Sequence, residues 1–154
     1  MTGLLKGLAI GAAAGAAGTT ALNTVTYLDM VLRGRPASST PEASVEALAK
    51  RTGVTIPGDG EKRQNRVSGL GPLLGIASGI GVGVLLGAAR GFGVRPGLVV
   101  GSALAGTAAL LAGNGPMTVL GVTDPRTWSP TDWVSDIVPH AVYGVVAAAV
   151  LRLA

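Results

Sequence analysis

The sequence predicts an all-α fold: a polytopic transmembrane bundle of four helices with glycine-zipper packing and one short amphipathic helix in a loop. Three observations predict it. Hydrophobic residues make up 48% of the chain and charged residues 13%, with a mean hydropathy of +0.52; an average soluble protein carries about 25% charged residues. Four apolar stretches reach the length that a hydrocarbon layer about 30 Å thick demands, at least about 17 residues. Finally, 25 of the 154 residues are glycine, roughly twice the usual share. A disordered chain would instead be polar and charged, and collagen would carry glycine at every third position. With no cysteine there is no disulfide framework, zinc–thiolate site or thiol nucleophile. The chain reads as a single integral membrane domain over 1–154.

The formal net charge is +4 and the pI about 10.1. The basic residues do not form a patch interleaved with aromatics, so nucleic acid is not the expected partner. They flank apolar stretches, as charges beside membrane spans do. The partner they indicate is the lipid bilayer.

The first span runs over about 4–32, with Lys6 near its start and Asp29 near its end. Apolar character persists through Leu22, Val25 and Leu28, too far for the h-region of a signal peptide, so an uncleaved span is expected. Thr19, Thr20, Asn23 and Thr24 give it a polar side, which is expected to bond across helices. Asp29 and Arg33, four apart, read as an ion pair. In the polar connection 33–66, Thr40-Pro41-Glu42 reads as N-cap, N1 proline and first-turn acid. Lys50 and Arg51 fill the last turn, and Gly53 follows as the residue that ends a short amphipathic helix, placed on the membrane surface or against the bundle. Pro57-Gly58-Asp59-Gly60 is a turn, and 61–66 a solvated charged run.

The second span covers 67–89 and the third 96–113, both without charge. The short connection 90–95 makes them antiparallel neighbours. A longer connection, 114–132, holds a semi-apolar piece at 117–122, interfacial or partly re-entrant. The fourth span covers 133–153. By charge count, eight basic residues lie on the side of the first and third connections and four on the other. That count places the first connection in the cytoplasm and both termini outside.

Glycines in the second span fall at Gly71, Gly75, Gly79, Gly83, Gly87 and Gly91, an unbroken spacing of four. Residues four apart share a helix ridge, and a ridge without side chains lets a second backbone press close. The first span repeats the device at Gly7, Gly11 and Gly15, and the third at Gly97, Gly101 and Ala105. Tight packing inside one bundle is the expected use. A homo-oligomer through these faces, or a pore built on them, is the alternative.

The fourth span opens on Trp128-Ser129-Pro130-Thr131-Asp132-Trp133. Ser129 reads as N-cap, Pro130 as N1, Asp132 as the reciprocal acid of a capping box, and the two tryptophans as a hydrophobic staple. Both tryptophans, and Tyr27, fit an interfacial aromatic belt. Asp132, Asp136 and His140 are four apart and share a face, with Ser135 beside them. An ionisable residue inside a span is a functional candidate. Asp136 and His140 suit a proton relay, or two of the ligands of a metal site with no evident third. The structural reading has the acids favouring the helix N-terminus and His140 bonded to Asp136 or to a backbone carbonyl. Pro139 removes one helical donor and so frees the Ser135 carbonyl. No nucleophile elbow or phosphate loop is present, so neither enzyme activity nor a cofactor is expected.

Pro116-Met117, then 120–125 (Leu-Gly-Val-Thr-Asp-Pro), then 132–140 (Asp-Trp-Val-Ser-Asp-Ile-Val-Pro-His) resemble the C-terminal part of YagU-like inner-membrane proteins. Gly121, Thr123, Pro125, Asp132, Ser135, Asp136 and His140 carry the resemblance. Tyr-Leu-Asp-Met at 27–30 and Arg-Gly-Arg-Pro at 33–36 also resemble uncharacterised actinobacterial membrane proteins. The resemblance implies a four-span protein of the plasma (inner) membrane with no settled molecular activity. It also implies cytoplasmic termini, against the charge count. The expected function is that of a non-enzymatic structural or accessory envelope component; a proton- or ion-handling bundle using Asp136 and His140 is the alternative.

Overall fold

In lipid a backbone N–H finds no water, so each apolar stretch must satisfy its own hydrogen bonds as a helix. A computed structural model describes residues 2–153. Helix α1 spans Thr2–Arg33, α2 Thr40–Thr52, α3 Gly60–Gly91, α4 Leu98–Val119 and α5 Pro130–Leu153, with a 3-10 turn at Pro125–Thr127. Helices α1, α3, α4 and α5 are long and apolar enough to cross a membrane. The protein is therefore a multi-pass membrane protein by length and composition. At about 1.5 Å per residue, the 32 residues of α1 or of α3 exceed a hydrocarbon layer about 30 Å thick, so their ends project into the headgroups.

Three boundaries differ from expectation. Helix α3 begins at Gly60, so the charged run 61–66 forms its first turns instead of a loop. The cause is α2, which docks there: Val45, Ile56 and Val67 form a small buried cluster, and the Arg63 fork donates to both Glu46 oxygens at 2.5 and 2.6 Å. The N-cap of α2 is Ser39, with Thr40 already helical and no side-chain cap bond. Its other end is as expected: Gly53 is left-handed (φ 71°), and the Val54 N–H donates to the Ala49 carbonyl. Helix α4 runs to Val119, through Gly113, Asn114 and Pro116. The Thr118 hydroxyl bonds back to the Asn114 carbonyl at 2.8 Å, and the helix ends only at left-handed Gly121.

The four long helices alternate in direction. Helix α1 lies between α3 and α5, and α4 packs on α5. Helices α3 and α4, joined by the short turn, touch least of the adjacent pairs; the tight connection makes them antiparallel but does not make them principal partners. Ala14, Val82, Ala105, Ala109, Tyr143 and Ala147 form the buried core. That core is built largely of alanine, because backbones this close leave little room.

Helices α1 and α3 meet glycine on glycine. A Cβ on Gly83 would sit 2.5 Å from the Gly15 Cα, one on Gly87 2.7 Å from the Gly11 Cα, and one on Gly15 2.8 Å from the Ile80 Cα. Gly7 and Gly79 are equally closed, against the Gly87 carbonyl and the Thr19 hydroxyl. The row divides beyond Gly79. Gly71 faces Pro41 of α2, and Gly75 has no neighbour within 4 Å, so its expected packing role is not met within the chain. In α4, Gly97 is likewise open and Gly101 makes ordinary contact; the close approach there is Gly106 against Gly144.

Candidate functional site

Apart from Tyr143 and the last-turn Arg152, the polar residues of α5 lie in its first three turns, and the structure sorts them by direction. Asp132 stays at the cap. The Ser129 N–H donates to its carboxylate at 2.9 Å, and the Asp132 N–H donates back to the Ser129 hydroxyl at 3.2 Å. Trp128 and Trp133 pack edge to face with ring centroids 5.0 Å apart. The Trp128 indole donates to Thr123 at 2.9 Å. The capping box and staple of the sequence are thus both present. Asp132 is exposed and does not join Asp136 and His140, despite the shared spacing.

Ser135 and Asp136 are adjacent in sequence and point to different helices. The Arg33 guanidinium donates to the Ser135 hydroxyl at 2.7 Å and to Asp29 at 3.3 Å, tying α5 to α1. Arg35 donates to the same carboxylate at 2.5 Å. An open cleft of about 520 Å³ lies beside this contact, walled by Leu28 and Leu32 of α1 and Val134 and Val138 of α5.

On the other side, Asn114 Nδ2 donates to Asp136 Oδ2 at 2.7 Å, tying α5 to α4. Asn114 is 8% exposed. His140 lies one turn deeper, with Nδ1 2.7 Å from the Asp136 carbonyl and 3.5 Å from Asp136 Oδ1. A carbonyl only accepts, so Nδ1 is the donor of this contact, and the other ring nitrogen is Nε2. That atom faces Gly113, where a Cβ would lie 3.8 Å away. Asp136 and His140 are the two side chains suited to a metal, and among the described residues no group of three or more such ligands forms.

Two residues escaped the sequence reading. Asn114, in a Gly-Asn-Gly-Pro run, looked like a loop residue. Tyr143 lies within the fourth span, and no sequence motif singled it out. It is fully buried, its ring lies where a Gly18 Cβ would be (2.7 Å from Cδ2), and its hydroxyl donates to the Gly79 carbonyl at 2.6 Å. One side chain thereby joins α1, α3 and α5. Its signal was a tyrosine mid-span, away from the interface where amphipathic rings belong. The threonines of α1 also behave unexpectedly. Thr19, Thr20 and Thr24 bond back to their own helix, at the carbonyls of Gly15, Ala16 and Thr20, rather than across to another.

Outside the spans, ion pairs close the loops. Arg63 beside Glu46 holds that carboxyl below its ordinary value by a direct hydrogen bond. Arg126 does the same to Asp124 across the 3-10 turn. No family model, curated protein or solved structure matches the chain.

Proposed function

We propose that this multi-pass protein is a non-enzymatic structural or accessory component of the plasma (inner) membrane. One observation carries the reading: the polar groups in the first three turns of α5 are engaged in capping, intrahelical or interhelical bonds. Asp132 closes the cap, Ser135 meets α1, Asp136 meets α4, and His140 bonds within its own helix. In hydrocarbon an interhelical bond such as Asn114–Asp136 acts as a local fastener worth about 0.6–1.7 kcal/mol. The glycine rows act as a glycine zipper within one chain, a reading supported by the Gly7–Gly87 and Gly15–Gly79 approaches. The four-span layout agrees with what the YagU-like resemblance implies.

The test is proton flux in proteoliposomes together with unfolding. Asp136→Asn and His140→Ala leave flux at the level of the unaltered protein and lower stability. A flux carried by the unaltered protein and lost in both variants moves the assignment to the second reading, a proton-handling bundle. The observation favouring that reading is the 3.5 Å approach of His140 Nδ1 to the Asp136 carboxylate. An oligomeric pore is the weaker alternative, because Gly79, Gly83 and Gly87 already face α1. A strictly monomeric mass in mild detergent removes it.

A further inference from the structure

The end of the bundle that carries the termini has a charge pattern unlike the other. All eight acidic side chains lie within 29–61 or 124–136, hence at the end that carries the two longer stretches between spans, 34–59 and 120–129. Eight of the twelve basic residues share that end and balance them. Lys6, Arg90, Arg95 and Arg152 lie at the other end, where there is no acidic side chain at all, so the whole formal charge of +4 resides there. Among the described residues, neither Arg90 nor Arg152 has a carboxylate within ion-pair reach.

These two arginines border a narrow crevice of about 60 Å³ where α3 and α4 part. Its walls are apolar: Leu86 and Val94 on one side, Leu104 and Leu151 on the other. The room admits a few methylenes of one chain, and the crevice is partly open to the surroundings. Arginine in a last helical turn also suits the helix dipole, as Arg90 does in α3 and Arg152 in α5. The dipole alone explains neither the absence of acidic side chains across a whole end nor the apolar slot that both arginines line.

We propose that this crevice is a binding site for an anionic phospholipid, its phosphate held by Arg90 and Arg152 and part of an acyl chain lying against Leu86 and Leu104. Charge complementarity selects the anionic head, since basic residues at a membrane surface attract anionic lipid and basic pockets between spans take phosphate headgroups. The apolar walls select a lipid over a free phosphate ester.

The test is thermal unfolding of the full chain in neutral detergent, titrated with phosphatidylglycerol, with phosphatidylcholine of the same chains, or with glycerol phosphate. Phosphatidylglycerol raises the unfolding midpoint saturably; the other two do not at equal concentration. In R90Q/R152Q the half-saturating concentration of phosphatidylglycerol rises roughly tenfold or more, whereas R90K/R152K and R126Q, at the other end, retain most of the response. Should R90Q/R152Q not fold, R152Q alone serves, because Arg152 is exposed; it raises the half-saturating concentration several-fold. Equal responses to the two lipids, an equal response to glycerol phosphate, or an unchanged response in the glutamine variants overturns the proposal.

Discussion

The two halves of the bundle are held by different means. Toward the termini, α1 and α3 meet through Gly7, Gly11 and Gly15 against Gly87, Gly83 and Gly79, backbone on backbone. Toward the loops the glycine row of α3 no longer meets α1. Gly75 has no neighbour, and the joining there is done by side chains: Arg33 to Ser135, Asn114 to Asp136 and Arg63 to Glu46. Where glycine permits contact, dispersion over many atoms suffices without a hydrogen bond. Of the side-chain contacts toward the loops, the Asn114–Asp136 bond, part-buried between α4 and α5, is the kind of fastener that is worth about 1 kcal/mol between spans. Tyr143 of α5 sits near the boundary, its ring against Gly18 of α1 and its hydroxyl on the Gly79 carbonyl of α3.

That contrast can be broken at graded cost. Gly79→Leu forces a side chain into Thr19 and the Tyr143 ring. It should lower the unfolding free energy by about 3 kcal/mol or more, measured by steric trapping or denaturant titration in micelles. Asn114→Ala leaves the Asp136 carboxylate without its donor and should cost about 1–2 kcal/mol. A double-mutant cycle with Asp136→Ala should show that loss as coupling between the two sites. Tyr143→Phe keeps the ring and removes one hydrogen bond, for about 1 kcal/mol. The smallest effect lies outside the spans. The Glu46 pKa is depressed by Arg63, so the pairing contributes fully above the ordinary glutamate value and is lost as pH falls through the lower, folded one. The protection of α2 amides, taken relative to their intrinsic exchange rate at each pH, should therefore fall on acidification through that window while that of α1 stays high, and Glu46→Gln should abolish this change in protection.

The four spans were legible because lipid imposes length and hydropathy on any helix that crosses it. The cap at Ser129 and the Trp128–Trp133 staple were legible because both are local, set by spacing within one turn. What escaped depends on distant partners. The glycine row of α3 is regular from 71 to 91, but α1 lies along only part of it, so nothing in the row distinguishes Gly83 from Gly75. The helicity of 61–66 depends on α2 folding back to pair Glu46 with Arg63. Asn114 was hidden among Gly113, Gly115 and Pro116, residues that would end a helix in water but are tolerated in a span whose neighbours satisfy the freed groups. Of the polar residues expected together, Asp136 and His140 do meet and Asp132 does not, because the cap captures it first.

The central claim is that the same residue type, in the same row, has opposite roles in the two halves. The most direct measurement compares the unfolding free energies of Gly83→Ala and Gly75→Ala. At Gly83 the new methyl meets the Gly15 backbone 2.5 Å away and should destabilise by about 1–3 kcal/mol. At Gly75 it meets nothing within 4 Å and should be neutral, or stabilise by up to about 1 kcal/mol through helix propensity. Equal losses at both positions, or a tolerated Gly83→Ala, would contradict the account.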